Sequence, residues 1–157
     1  MTDRSTVKNN LRYHRLIVIC IVLVYIWAQY EYSSGNWSYS NGVPKIEGER
    51  VNGRDEGTWT WYYENGKKQM QGTFHNGKRK GLWIIWNNNE NKVSESLYEN
   101  DKLNGKFAHW YANGKKESEG SYHDDKLTGT VIYYNEDGSV KETKKYSNGT
   151  AIIDLLR

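Results

Sequence analysis

The chain has 157 residues, which is enough for one domain with its own core. Only 36% of the residues are hydrophobic and aromatic residues make up 14%, so Trp and Tyr must supply much of that core. The net charge of +3 resides in the first 15 residues, where four basic side chains accompany one Asp, and the rest of the chain is neutral. A neutral remainder argues against a nucleic-acid-binding protein, because such proteins present a clustered basic face.

The chain begins with a basic head, residues 1–15, followed by an uncharged apolar run at residues 16–28. As a helix this run would be about 20 Å long, which is shorter than the roughly 30 Å hydrocarbon core of a bilayer. The length fits either a signal-peptide hydrophobic region or a short signal anchor, and the lack of a small-x-small cleavage motif favours the uncleaved anchor. A buried core helix is a third reading, which the sharp difference in composition from the rest of the chain argues against.

Basic residues next to an apolar segment tend to stay in the cytoplasm, which predicts the direction in which the chain crosses the membrane. We therefore expect a single-pass protein of the inner or plasma membrane, with its C-terminal part outside the cytoplasm and in the periplasm of a Gram-negative cell. Cys20 is the only cysteine and lies in the apolar run without a lipobox, so no disulfide can form within the chain. Residues 29–36 are expected to be a polar spacer.

A 24-residue unit recurs from residue 57 onwards. Its copies begin at Gly57, Gly81, Gly105 and Gly129, and a degraded copy precedes them. Repeats of this length indicate that neighbouring units stack and share one core. The repeat domain is therefore predicted to span residues 37–150, with residues 151–157 as an aliphatic C-terminal cap.

Within the units, aromatic residues align in columns separated by turn signals. The columns read Tyr62, Trp86, Trp110, Tyr134; Phe74, Tyr98, Tyr122, Tyr146; and Trp59, Trp83, Phe107, Val131. Pairs such as Asn65-Gly66 and Asn76-Gly77 recur between them and favour type I′ turns. The pattern predicts an all-β fold, a single-layer antiparallel β-meander of 24-residue hairpin repeats, preceded by one N-terminal hydrophobic helix.

The spacing of aromatic residues within one strand leaves two arrangements open. Trp59 and Tyr62 are three residues apart and would lie on opposite faces of a regular strand. Either a β-bulge realigns them or both faces of the sheet carry aromatic side chains. The aromatic columns are predicted to form a continuous spine through the core, so Trp110→Ala should cost about 3–5 kcal/mol of unfolding free energy as a core truncation.

The signature G-x-W-x-x-Y-Y-x-N-G-K-K, followed by G-x-F-x-N-G-K, resembles the MORN-repeat family, and specifically its bacterial variant. The resemblance covers roughly residues 37–150, and the matching positions are Gly57, Trp59, Tyr62, Asn65, Gly66, Phe74, Asn76 and Gly77. The second unit departs from the pattern of tight turns, with Asn89-Glu90 and Asn100-Asp101. The resemblance implies a MORN-like binding scaffold, of a kind often found in antitoxin and immunity proteins.

The sequence contains no motif for catalysis, a cofactor or a metal. A nucleotide loop, a nucleophile elbow, a zinc signature and a calcium loop are all missing. His75 and His123 share a column but lie two units apart, about 19 Å at the usual strand spacing, which is too far for a common metal. We therefore expect no enzyme activity and no catalytic residue, cofactor or metal site.

Two functions fit these features. The first is a membrane-anchored, non-enzymatic protein that binds another protein outside the cytoplasm, as an immunity or antitoxin protein that neutralises a toxin. Its candidate contacts are aromatic, because Trp and Tyr dominate binding hot spots: Tyr63, Trp86, Trp110, Tyr111 and Tyr134. The second is a membrane-associated scaffold that binds lipid head groups or an envelope complex through the lysines after the turns. Nearby glutamates allow those lysines to be an ordinary solvated face instead.

Overall fold

The structure, a computed structural model, describes residues 37–152. These residues form one antiparallel sheet of eleven strands arranged in sequence order, which confirms the all-β single-layer meander. In this described part of the chain, no helix is long and apolar enough to span a membrane. The predicted basic head, apolar helix and spacer, and residues 153–157 of the predicted cap, lie outside the described residues.

Each 24-residue unit supplies one strand of nine residues and one of eight. The strands are β1 (Trp37–Ser38), β2 (Pro44–Val51), β3 (Arg54–Tyr62), β4 (Lys68–His75), β5 (Lys78–Trp86), β6 (Lys92–Glu99), β7 (Lys102–Trp110), β8 (Lys116–His123), β9 (Lys126–Tyr134), β10 (Val140–Ser147) and β11 (Thr150–Ile152). Every strand pairs only with its neighbours in sequence. The sheet is therefore a stack of hairpins in which no unit contacts a distant one.

The loops along one edge of the sheet have two residues each and confirm the predicted type I′ turns. Both central residues have positive φ, as at Asn76 (53°) and Gly77 (77°). The second unit keeps this geometry without glycine, because Asn100 (51°) and Asp101 (70°) take the same conformation. Asn and Asp tolerate the left-handed region better than other side chains, so the substituted turn stays tight.

The loops along the other edge differ from the prediction, since they are five residues long. In the loop at residues 63–67 only Gly66 has positive φ, at 81°. The loop is closed by Tyr63 N–H donating to the carbonyl of Lys67 (2.8 Å) and Gly66 N–H donating to that of Tyr63 (2.9 Å). The Asn65 side-chain oxygen accepts from Lys67 N–H at 3.1 Å, and this local bond favours a longer loop over a two-residue turn.

The glycine that begins each unit marks a break in strand register. On β4 and β5, Gln71 pairs with Ile84 and Thr73 pairs with Lys80, so three residues of β5 face Gly72 alone. Gly81, at the start of this bulge, has a φ of 70°. The bulge allows the Trp83 indole to lie across the backbone of β4, where a Cβ at Gly72 would overlap the ring. The same contact joins Trp59 to Gly48.

Both faces of the sheet carry aromatic residues, which decides between the two predicted arrangements. The face that we call the core face holds the column of Trp59, Trp83, Phe107 and Val131, which are between 1% and 6% exposed. Trp61 lies on this face too, with its ring 6.2 Å from that of Trp59. Tyr62 points the other way, since its hydroxyl donates to Glu47, which pairs with Thr60. The bulges exist but do not realign the columns.

The prediction that Trp110 belongs to a buried spine is wrong. Trp110 is half-buried and lies on the face opposite the core face. It shares the alternation of Tyr62 within its strand, while Phe107 takes the buried position of that unit. The column that carries the core is therefore the one that begins with Trp59.

Candidate binding surface

The face opposite the core face, which we call the ladder face, has a continuous central row of paired residues. The row crosses nine strands and reads Glu47, Thr60, Gln71, Ile84, Glu95, Ala108, Glu119, Ile132 and Thr143. Directly paired residues lie on the same face of a sheet, and so do residues two apart in one strand. The row therefore fixes which other side chains belong to this face.

Two residues further along the nine-residue strands, aromatic rings alternate with lysines. Tyr62 pairs with Lys68, Trp86 with Lys92 and Trp110 with Lys116. Tyr134 follows at the same position and pairs with Val140. We call the seven residues from Tyr62 to Tyr134 the aromatic–lysine ladder: Tyr62, Lys68, Trp86, Lys92, Trp110, Lys116 and Tyr134. Its four aromatic rings are half-buried.

Glutamates of the central row hold both ends of this ladder. The Tyr134 hydroxyl donates to Glu119 Oε1 at 2.6 Å, and Lys116 Nζ donates to the other carboxylate oxygen at 2.6 Å. These bonds, that of Lys116 first, lower the pKa of Glu119 below its ordinary value. At the other end, the hydrogen bond of Tyr62 to Glu47 (2.6 Å) raises the pKa of the tyrosine. The hydrogen bonds to these carboxylates therefore fix the orientation of the rings beside them.

The middle of the ladder is ordered by Lys92. Its Nζ lies 5.4 Å from the ring centroid of Trp110, within range of a cation–π interaction. The same ammonium donates to Glu95 Oε2 at 3.0 Å. Glu95 belongs to the central row. Rings, ammonium groups and carboxylates therefore form one connected polar and aromatic surface.

The five predicted contact residues divide into two groups. Trp86, Trp110 and Tyr134 lie together in the ladder. Tyr63 and Tyr111 begin the five-residue loops, and their hydroxyls donate to the carbonyls of Trp86 (2.9 Å) and Tyr134 (2.8 Å). These two tyrosines therefore connect one unit to the next by hydrogen bonds and position the backbone of Trp86 and Tyr134 in the ladder.

Two open clefts flank the ladder. One, of about 540 Å³, lies between Tyr62 and Trp86, with Lys67, Lys68 and Glu90 at its rim. The other, of about 620 Å³, is wider and runs along the central row. Its lining combines apolar and charged side chains, including Leu82, Leu97, Ala108, Ile132, Glu95 and Lys106. Leu82 is 48% exposed. The ladder face is therefore grooved and partly apolar, as binding surfaces usually are.

The core face carries an aromatic cleft that the sequence reasoning missed. It has a volume of about 420 Å³ between Trp61, Met70, Trp83 and Ile85. Ile85 is 39% exposed. The sequence did contain a signal for this cleft. Trp59 and Trp61 are two residues apart in β3 and therefore lie on the same face. Ile85 occupies the position of Trp61 in the next unit.

The described residues offer no metal site, since residues 37–152 contain no group of three His, Cys, Asp or Glu side chains that could hold an ion. His75 instead contacts Glu56 through Nδ1 at 2.8 Å. Glu56 also accepts from Asn76 N–H at 2.7 Å, and this bond, followed by that to His75, lowers its pKa. These side chains stabilise the two-residue turn beside them.

Comparison with known families supports the MORN-repeat resemblance. A family model described as "MORN repeat variant" matches residues 55–76, 103–124 and 127–148. The stretch between the first two matches contains most of the second unit, including its two turn pairs that depart from Asn-Gly. A search of curated proteins found no match. MORN repeats generally bind proteins or membrane lipids, and the family is a non-catalytic binding repeat.

Proposed function

We propose, from its MORN-type repeats and its ladder face, that this chain is a membrane-anchored protein that binds another protein outside the cytoplasm. In the proposal, residues 16–28 are the anchor and the repeat sheet is the binding part. The partner is a toxin, which the chain neutralises as an immunity or antitoxin protein. The observation that carries the binding function is the row of half-buried rings on one open face.

The ladder has the dimensions of a protein interface. From Tyr62 to Tyr134 it crosses six strand spacings, roughly 28 Å in all. A standard interface buries about 800 Å² on each partner, which corresponds to a patch of similar width. Trp86 and Trp110 lie at the centre of this row, where binding energy is usually concentrated. We therefore propose these two residues as the main contacts, with Tyr134 at the edge.

Tyr63 and Tyr111 take a supporting part in this proposal. Their hydroxyls hold the backbone of Trp86 and Tyr134 from the neighbouring loop. Replacing either by Phe removes that bond while leaving the ring. We expect a smaller loss of partner binding from these changes than from loss of a ladder ring.

The test is capture of the partner by the tagged full-length chain from cells that also express the products of neighbouring genes, with mass spectrometry and a co-expression toxicity assay as readouts. We expect one toxic protein to be captured and growth to be restored. Trp86→Ala and Trp110→Ala should each reduce capture and protection. Trp61→Ala, on the core face of the same sheet, is the matched control and should retain both. Protection that survives both ladder variants would refute the proposed contact face.

A second candidate function is a scaffold at the membrane surface, which the cleft beside Trp86 favours. Lys67 and Lys68 lie at the rim of that cleft, and lysines near a membrane are attracted to anionic head groups. Binding of the full-length chain to anionic liposomes through its repeats, and its loss in Lys67→Gln/Lys68→Gln, would support the scaffold. Binding that is unchanged in high salt would contradict it, because head-group attraction is screened.

A further inference from the structure

We propose that the ladder face binds an uncharged β-1,4-linked polysaccharide chain in extended form. The proposal goes beyond the proposed protein partner and does not depend on it. It stands on the period of the ladder, the chemistry of the side chains beside it and the balance of their charges.

The ladder repeats with a fixed distance. Equivalent rings, such as those of Trp86 and Trp110, lie two strands apart, or roughly 9.4–9.8 Å. An extended β-1,4-linked chain repeats at each disaccharide, over a length close to, and slightly greater than, two strand spacings. Every second sugar of such a chain therefore meets a ring. A chain of three disaccharides, which has six sugars, therefore meets three of the four rings.

The rings suit the faces of pyranose sugars. A sugar face is an array of C–H groups with slight positive charge, and an aromatic face carries the negative lobe of the ring quadrupole. Trp86 and Trp110 are half-buried, so each ring is held by the sheet but retains exposed area. Lys68, Lys92 and Lys116 lie on the strands between successive rings, and the long alkyl stem of a lysine adds apolar contact area.

The central row supplies the hydrogen-bonding groups that sugar hydroxyls require. Of the residues in the central row, Gln71 is on the strand next to that of Trp86, and Glu95 is on the strand next to that of Trp110. Carboxylate and amide oxygens accept from hydroxyls, while the ammonium of Lys92 donates. These groups are partly exposed, so a sugar can replace the water around them with few buried groups left unsatisfied.

The charge of the surface selects an uncharged ligand. Lys68, Lys92 and Lys116 are balanced by Glu47, Glu95 and Glu119 on the same face. Lys92 and Lys116 are hydrogen-bonded to the glutamates nearest them, at 3.0 and 2.6 Å. A polyanion such as single-stranded nucleic acid would need cations free to meet its phosphates. The ladder and the central row are together neutral, which predicts that binding along the ladder does not change with salt.

The twist of the sheet restricts the ligand further. Adjacent strands rotate by roughly 20–25°, so neighbouring rings of the ladder rotate by about twice that angle. A single flexible chain can follow this rotation through its glycosidic torsions. The flat surface of a crystalline polysaccharide cannot. The ligand is therefore a soluble chain.

The experiment is isothermal titration of the full-length chain, in a detergent that contains no sugar, with cellohexaose and with the hexamer of N-acetylglucosamine. We expect at least one hexamer to bind, to bind more tightly than its dimer, and to keep its affinity in 0.05 and 0.5 M salt. Trp86→Ala and Trp110→Ala should each weaken binding by about tenfold, the scale of one lost stacking contact. Trp86→Tyr should retain binding, because tyrosine occupies this position in two other units.

Trp61→Ala is the matched control, since it removes a ring of similar exposure from the other face. Circular dichroism of every variant shows whether the sheet is retained. Failure of both hexamers to bind would overturn the proposal, as would an equal loss of affinity in Trp61→Ala or a tenfold loss in high salt. The capture experiment does not involve sugars, so a failure of either proposal leaves the other standing.

Discussion

Glu90 is a residue whose backbone conformation is unfavourable for its type. It has a φ of 66° at a loop position that is glycine in every other unit, as at Gly66 and Gly114. A side chain in this region costs roughly 1–2 kcal/mol. Glu90 also contacts Lys67 at 3.2 Å, but its side chain is 66% exposed, and pairs this exposed contribute little. The loop is therefore held in a strained form by its hydrogen bonds.

Glu90→Gly should accordingly raise the free energy of unfolding by about 1 kcal/mol. Chemical denaturation followed by circular dichroism measures this change. Glu90→Ala is the control, because it removes the contact with Lys67 but keeps the strain. If the Ala and Gly variants are equally stable, strain at this position is not the cause.

Two tryptophans from neighbouring units, at different positions of the repeat, should contribute differently to the free energy of unfolding. Trp83 is 6% exposed and lies across Gly72, whereas Trp110 is half-buried on the ladder face. Trp83→Ala should cost about 3–5 kcal/mol, because it opens a cavity in the core. Trp110→Ala should cost less than half as much. Equal losses in thermal or denaturant unfolding would contradict the assignment of the two faces.

Among the described residues, the Trp83 indole N–H is buried without a hydrogen-bond partner. A buried donor left unpaired costs about 1–3 kcal/mol. Phenylalanine fills the same column at Phe107. The Trp83 ring therefore stabilises the folded sheet through packing alone, and its unpaired N–H lowers the free energy of unfolding.

At the scale of the strands, the packing of an aromatic residue over a glycine connects β2 to β3 and β4 to β5. Trp83 on β5 lies across Gly72 on β4, and Trp59 on β3 lies across Gly48 on β2. The bulge that begins at Gly81 gives β5 the extra residues needed to reach over its neighbour. Glycine and aromatic residue therefore act as a pair.

Gly72→Ala should destabilise the sheet by about 3 kcal/mol, since the added Cβ overlaps an indole held between two strands. Ser96→Ala is the matched control. It lies in the same column one unit later and already has a Cβ, so its stability should change little. Thermal unfolding of both variants measures the difference. A stable Gly72→Ala protein would show that the indole can move away.

Much of the architecture could be predicted from the sequence, because its periods are regular. The strands, the two-residue turns and the order of the meander all follow from residue types at fixed spacing. The five-residue loops did not follow, since Asn65-Gly66 and Asn76-Gly77 are the same dipeptide. What distinguishes them is the bond from Asn65 to Lys67 N–H and the anchoring of Tyr63 to Trp86 in the next unit. The turn propensity of the Asn-Gly dipeptide takes neither of these contacts into account.

The geometry of the candidate surface could be predicted in part. Trp86, Trp110 and Tyr134 share one column of the repeat and lie on one face of the sheet, and their part in binding stays a prediction. The prediction that this column is buried is wrong. Trp59 and Tyr62 lie on opposite faces of β3, and the residue types alone do not indicate that the face of Trp59 is the buried one. The supporting part of Tyr63 and Tyr111 depends on hydrogen bonds to the next unit, which lie outside any local pattern.

At the scale of the whole molecule, stability should be a sum over neighbouring units, because each strand pairs only with the strands before and after it. Deletion of residues 81–104 removes one whole period and joins Lys80 to Gly105, which begins the next copy. We expect a shorter sheet that still unfolds cooperatively, at a lower temperature. Circular dichroism with a thermal scan tests this. A variant without β-structure would show that the second unit is indispensable.

The pairing of each strand only with its sequence neighbours also decides how the molecule responds to tension. A force applied between the two ends of the sheet acts on β1 and β11, whose two and three residues are the shortest strands. The strands must then peel away one after another from the ends, since no contact bridges distant units. Each 24-residue period released adds up to about 80 Å of extended chain. The sheet is thus an extensible element that yields stepwise, with its central hairpins the last to open.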